Sequence, residues 1–260
     1  TTADRIGEIS HFQPVCGDGI IYIVNALVGF FPSEQPLNRV VTIDTQDPDT
    51  LLQGRFVPAA RRRGSSAVVV YDECIYAVGG LPLGHLRGTN TLFDKYCPTT
   101  NTWFPPLPEP TYSRDHISAA VLDDKLFVAG GRISDWVCGS GGCSSGADDE
   151  GGPSEWFDFI TETWAIGAPL PEPRAGAAVV AYQNLILVMG GESSRQSPAH
   201  DENNAYDYTT DTWYTLAPLN QRRHATTAFV YDDKVWIMGG SPHVGGRDST
   251  ELTALEYFAF

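Results

Sequence analysis

Six histidines, five cysteines and a run of consecutive acids are the side chains of this chain that could do chemistry, and their spacing limits what kind. His11, His85, His116, His200, His224 and His243 are widely dispersed, and no two lie close enough in sequence to start a local metal-ligand set. Asp115 beside His116 is an acid–base pair by residue type, yet neighbours on an extended segment point to opposite sides. Asp148, Asp149 and Glu150 are weak calcium candidates: their run lacks the alternate-residue ligands and glycine turn of a calcium loop, and a solvated acidic loop is the competing reading. No phosphate-cradling loop occurs.

The arginines are more regular. Arg63, Arg114, Arg174 and Arg223 each stand sixteen residues before a glycine pair, which ends at Gly80, Gly131, Gly191 and Gly240. Between them run two short apolar segments split by a polar turn, as in SSAVVVYDECIYAVGG and TTAFVYDDKVWIMGG. Short apolar runs punctuated by Gly, Pro, Asn and Asp are strand signals. An aromatic falls three residues before the first glycine at Tyr76, Phe127 and Trp236. After the glycines come another strand, a polar turn and a tryptophan, Trp103, Trp164 or Trp213. A degenerate first copy, GDGIIYIVNA, puts Tyr22 at the aromatic position and Ile9 where the arginine belongs. The period of about fifty residues is that of a propeller or array.

Arginine, two strands closing on Gly-Gly, then a turn and tryptophan resembles the kelch repeat, and the resemblance covers nearly the whole chain. It implies an all-β fold: a kelch-type β-propeller of five blades, each with four antiparallel strands, as a single domain over residues 1–260. The fifth copy lacks an outermost strand with its tryptophan, so the N-terminal segment, about Thr2 to Ile6, is expected to close the ring beside Tyr257 and Phe258. In kelch interaction domains the ligand sits over the arginine-bearing loops. Carried over, that implicates Arg63, Arg114, Arg174 and Arg223, with His116 and His224 beside them. The other reading is that these arginines tie the blades together through carbonyls and acidic partners.

The cysteines are read on the same resemblance. In a kelch blade the start of the second strand lies beside the end of the third, which places Cys74 beside Cys97. The counterparts elsewhere are taken as Lys125 with Asp158 and Lys234 with Asp207, two opposite-charge pairs. A Cys74–Cys97 disulfide is therefore expected. A second, Cys138–Cys143, would close the small ring around GSGG, leaving Cys16 over. Two bridges point to an extracellular, secreted protein, and a start at Thr1 without a leader fits a processed chain.

A formal net charge of -15 argues against nucleic acid as a partner, and no apolar run is long enough to span a bilayer. On a propeller most arginines would share the face of the inter-blade loops, while the turn acids Asp18, Asp72, Asp123, Asp124, Asp232 and Asp233 would line the opposite face. The functional expectation is a non-catalytic, secreted protein-interaction or structural module whose partner is another protein or further copies of itself. It has no cofactor, calcium being the one candidate. The alternative is a kelch-type enzyme or carbohydrate-binding propeller with a pocket on the arginine-bearing face.

Overall fold

The computed structural model describes residues 8–258 apart from 31–32, 86–87, 135, 140–141, 146–148, 151 and 246–250. The repeats fold into antiparallel sheets in chain order. Blade 1 holds Val15–Gly17, Ile20–Ile23, Arg39–Asp44 and Asp47–Phe56. Blade 2 holds Ala67–Tyr71, Cys74–Val78, Phe93–Cys97 and Thr102–Trp103. Blade 3 is built from Ala119–Leu122, Lys125–Val128, Pro153–Asp158 and Thr163–Pro169, and blade 4 from Ala178–Tyr182, Leu185–Met189, Asn203–Asp207 and Thr212–Thr215. Blade 5 has three strands among the described residues, Thr227–Tyr231, Lys234–Met238 and Leu255–Phe258. The closing strand expected from residues 2–6 lies outside the described residues.

By internal packing the chain falls into two compact units, residues 1–115 with 133–148, and residues 116–132 with 149–260. In the first, Val24 and Val40 of blade 1 pack on Val68, Ile75, Ala77 and Tyr96 of blade 2. In the second, Phe127 of blade 3 packs on Val179, Ile186 and Val188 of blade 4. Leu187, Met189 and Ala205, on the other face of blade 4, pack on Val235 and Ile237 of blade 5. Blade 4 is thus apolar on both faces, which is why its second strand, LILVM, does not alternate with polar residues.

Local chemistry explains the turns. Asp72 and Glu73, Asp123 and Asp124, and Asp232 and Asp233 all take φ between 47° and 60°. Two consecutive left-handed residues are the geometry of a tight hairpin whose twist matches its strands, and short acidic side chains tolerate it better than branched ones. The tryptophans face aromatic residues across the third and fourth strands. Tyr96 stands opposite Trp103 and Tyr206 opposite Trp213, with ring centroids 5.0 and 4.9 Å apart. Each of these tyrosines also donates its hydroxyl to the turn, to Asn101 at 2.9 Å and Asp211 at 2.6 Å.

The disulfide Cys74–Cys97 is present, with Cα atoms 4.2 Å apart. Lys125 pairs with Asp158 across blade 3, at 3.5 Å. The Lys234–Asp207 pairing is corrected: Asp207 ends the third strand of blade 4, whereas Lys234 opens the second strand of blade 5 and meets Asp232 at 3.3 Å. In the large insertion, Trp136–Gly139 pairs with Gly142–Ser145 and sets Cys138 opposite Cys143. The side chains of this hairpin lie outside the described residues, so the second bridge does too. Asp148 is likewise outside, while the backbone of Asp149–Glu150 forms a short strand. Cys16 is a free, exposed thiol.

Candidate functional site

The repeated arginines are drawn into their own blades. Arg63 Nε donates to the Gly79 carbonyl at 2.6 Å and Nη2 to that of Ala77 at 2.8 Å, while Nη1 meets Asp94 Oδ2 at 2.5 Å. Arg174 repeats the pattern on Gly190 (2.6 Å), Val188 (3.0 Å) and Asn204 Oδ1 (2.7 Å). Arg223 reaches Gly239 O at 2.7 Å and Glu256 Oε1 at 2.5 Å. Sixteen residues is therefore the span from a guanidinium on the inter-blade loop to the first carbonyl of the glycine pair. These three side chains are fully buried, and Arg114 is 3% exposed. Burial pulls Arg63 below its ordinary value against the opposing effect of Asp94, and pulls Arg174 down to about 10.

The glycine pairs exist because of the same loops. Gly190 has φ +65°, and a Cβ there would stand 2.3 Å from the Arg223 carbonyl oxygen. Gly240 has φ +92°, and its Cβ would stand 2.4 Å from the carbonyl oxygen of His224. Only glycine meets both the left-handed backbone and the close approach.

Two residues after each arginine the backbone again turns left-handed, at Ser65, His116, Gly176 and Ala225, and His11 occupies the matching place in the first copy. These residues are linked through their backbones: Ser65 N to His11 O (2.6 Å) in the first unit, Gly176 N to His116 O (2.7 Å) and Ala225 N to Gly176 O (2.9 Å) in the second. The expected site residues thus divide. His224 meets Glu192, a 4% exposed carboxylate, and His116 stands beside it across Arg132. Glu192 accepts Arg132 Nη1 at 2.9 Å and the Gly245 amide at 2.9 Å, and lies 3.3 Å from His224 Nε2. Arg132 Nη2 is also 3.1 Å from His116 Nε2. Burial alone would raise the Glu192 carboxyl, but His224, Arg132, His116 and the Gly245 amide together hold it below the usual range.

Asp115 turns away from His116. It is fully buried and accepts the Ser134 amide at 3.0 Å and hydroxyl at 2.8 Å, with Thr89 on the same carboxylate. The histidines are less dispersed in space than in sequence: in the first unit the rings of His11 and His85 stand 4.2 Å apart between centroids.

Blade 5 presents a different kind of surface. Its strand register sets Phe229 opposite Trp236 and Trp236 opposite Tyr257, and sets Met238 opposite Leu255. This is the face opposite Val235 and Ile237. Phe229 is 41%, Met238 47%, Leu255 53% and Tyr257 56% exposed. In blade 3 the equivalent aromatic, Phe127, is 2% exposed beneath blade 4.

Sheets of this order, with Arg63, Arg174 and Arg223 each clamped on a glycine pair, define a kelch-type β-propeller fold. The family model described as the KLHDC2/KLHL20/DRC7 Kelch-repeats domain matches residues 30–240, and the chain belongs to this kelch-repeat family. It is 30% identical over 208 residues to Kelch-like protein terF of Aspergillus terreus, covering 76% of this chain and 41% of that protein. It is 27% identical to the Kelch repeat and BTB domain-containing protein A55 of Vaccinia virus, over 52% of this chain and 22% of that protein. Beta-scruin of Limulus polyphemus is 29% identical over 58% of this chain and 17% of its own length. The chain therefore spans less than half of each of these relatives. Among solved structures, YjhT superposes with a TM-score of 0.74 at 15% identity, covering 96% of this chain and 81% of that one, a likeness of fold. No helix among the described residues is long and apolar enough to cross a membrane.

Proposed function

We propose that the chain is a non-catalytic protein-interaction module, that further copies of itself are its partner, and that it works outside the cell. The observation that carries the reading is the exposed apolar face of blade 5. In blades 3 and 4 the same face is covered by the sheet that follows, so on blade 5 it is shaped to receive a sheet faced with Val, Ile and Ala. The chain carries such a sheet in blade 1, where Ile21 and Ile43 are half-buried and stand opposite one another on adjacent strands. A contact between unlike faces of two copies is heterologous and need not close, so it would build open assemblies. The kelch-repeat relatives belong to a class typically used for protein interaction. The Cys74–Cys97 bridge supports an oxidising, extracellular compartment.

Arg63, Arg174 and Arg223 serve this function as clamps: each closes its inter-blade loop on a glycine pair, and Arg223 thereby holds the neighbouring His224 beside Glu192. Sedimentation velocity across a concentration series tests the reading. Reversible association abolished by charge on the blade 5 face is the expected result. A chain that stays monomeric at every concentration overturns self-association.

A further inference from the structure

The first unit brings together two histidines and a carboxylate that the propeller itself does not require. His11 follows the short strand Ile9–Ser10, which pairs with Leu27–Val28, and its left-handed backbone is pinned by the Ser65 amide at 2.6 Å. His85 lies in the turn after Leu81. There Gly84, at φ +82°, approaches so closely that a Cβ would stand 2.3 Å from the Glu34 carbonyl oxygen, so the loops of Glu34 and His85 are pressed together. The two imidazoles are held by different chain segments, with an interplanar angle of 60°, and each offers a ring nitrogen within 4.8 Å of the other's.

Their Nδ1 atoms already have polar partners. His85 Nδ1 stands 3.3 Å from Glu34 Oε1, and His11 Nδ1 stands 2.8 Å from Ser10 Oγ. An Nδ1–H donated to a carboxylate or hydroxyl puts the imidazole lone pair on Nε2, and a carboxylate behind a histidine both orients the ring and raises its basicity as a ligand. Glu34 is itself 4% exposed, and its second oxygen is buried without a hydrogen-bond partner. A buried carboxylate so placed is stabilised by positive charge on the far side of the imidazole it holds.

We propose that His11 and His85 form a two-imidazole site for a divalent transition-metal ion of the zinc, copper and nickel class, with Glu34 as its positioning residue. Imidazole suits those ions, whereas calcium and magnesium require oxygen ligands. The two side chains are partly exposed, which gives the ion a route in and leaves coordination positions for water or an added ligand.

The test is titration of the untagged full chain with zinc chloride by calorimetry, together with the electron paramagnetic resonance spectrum of the copper(II)-loaded chain. One saturable equivalent is expected, with coupling to two imidazole nitrogens. His11→Ala and His85→Ala should each weaken binding at least about tenfold, and Glu34→Gln by about 10–100-fold. Glu34→Gln should leave the melting temperature of the metal-free chain close to the parent's, which separates positioning from fold. His243→Ala should change nothing. The spectrum of the parent decides the matter even where a histidine variant fails to fold. Absence of saturable binding, fewer than two coupled nitrogens, or an equal loss in His243→Ala would overturn the site.

Discussion

Arg63 Nη1 and Asp94 Oδ2 meet at 2.5 Å with both side chains withdrawn from solvent, one at the head of blade 2 and the other on its third strand. The pair closes the blade on itself. Arg63→Met removes the cation and leaves Asp94 with Arg61, 3.3 Å away and more exposed, as its remaining charge partner. Breaking a buried pair from one side costs about 3–5 kcal/mol, whereas removing both partners together costs much less. Urea unfolding of Arg63→Met, Asp94→Leu and the double variant should therefore be strongly non-additive. Additive losses would mean that the carbonyl bonds of Arg63, and not the ion pair, carry its contribution.

The Cys74–Cys97 bridge joins residues 23 apart. On the chain-entropy view a loop of that length contributes about 3 kcal/mol. Cys74→Ser with Cys97→Ser should lower the melting temperature, and dithiothreitol should bring the parent to the same value while leaving the double variant unmoved. Peptide mapping without reduction should recover the two linked. A parent indifferent to reductant would show that the bridge is not formed in solution.

Gly190 and Gly17 differ in backbone conformation and in what surrounds them. At Gly190 the backbone is left-handed and a Cβ would stand 2.3 Å from the Arg223 carbonyl oxygen; at Gly17 nothing lies within 4 Å. Gly190→Ala should cost more than about 1 kcal/mol, and Gly17→Ala less than about 0.5 kcal/mol. Comparable effects at the two sites would contradict the close approach of loop and glycine pair.

The contrast between those glycines shows where sequence was legible. The Arg-to-glycine spacing of sixteen, the turn acids and the tryptophans are local or repeat-bound, so they revealed the blades, and the resemblance to kelch blades placed Cys74 and Cys97 at facing strand ends. What spacing could not show is which side chains from different loops share a point in space. Glu192 lies in a non-repeating insertion after Gly191, and only the fold brings it to His224 and Arg132. The same holds for His11 and His85, 74 positions apart in sequence and 4.2 Å apart between ring centroids. The repeated arginines were legible as a pattern, but spacing could not say that their guanidinium groups bond carbonyls within their own blades. Burial is a property of what covers a residue, and Phe127 and Trp236 read alike until their surroundings are known.

Glu192 makes a prediction about acid. Its carboxyl is held below its ordinary value of 4.5 in the fold, so the stabilisation it supplies is fully present above 4.5 and is lost as pH falls through the lower folded value. Glu192→Gln should be less stable than the parent near neutrality, and the gap should close as acid protonates the parent's carboxylate. Chemical denaturation at a series of values between about pH 7 and about pH 3 measures the gap. A constant difference across that range would mean that the charge of Glu192 is not what its neighbours stabilise.

The exposed face of blade 5 makes the last prediction. Fully burying an aromatic or aliphatic side chain contributes about 1.5–3 kcal/mol, and Phe229, Met238, Leu255 and Tyr257 form one contiguous register of such residues around Trp236. Tyr257→Asp with Met238→Lys places charge in that patch at positions already half exposed, so the blade's own packing on Leu187 and Met189 is spared. The association seen by sedimentation velocity should then fall to monomer. Sulfate should strengthen association of the parent, because excluded salts favour apolar burial. Contacts driven by the polarity of charged faces behave in the opposite way: they weaken with salt and respond to reversal of an exposed cation such as Arg222, which pairs with Asp201 at 2.9 Å. Reversing Arg63, Arg174 or Arg223 cannot make that distinction, since each is buried in its blade. Association that survives Tyr257→Asp with Met238→Lys, but is lost with Arg222→Glu and with added salt, would assign the contact to the charged loops and leave the apolar face of blade 5 to another protein.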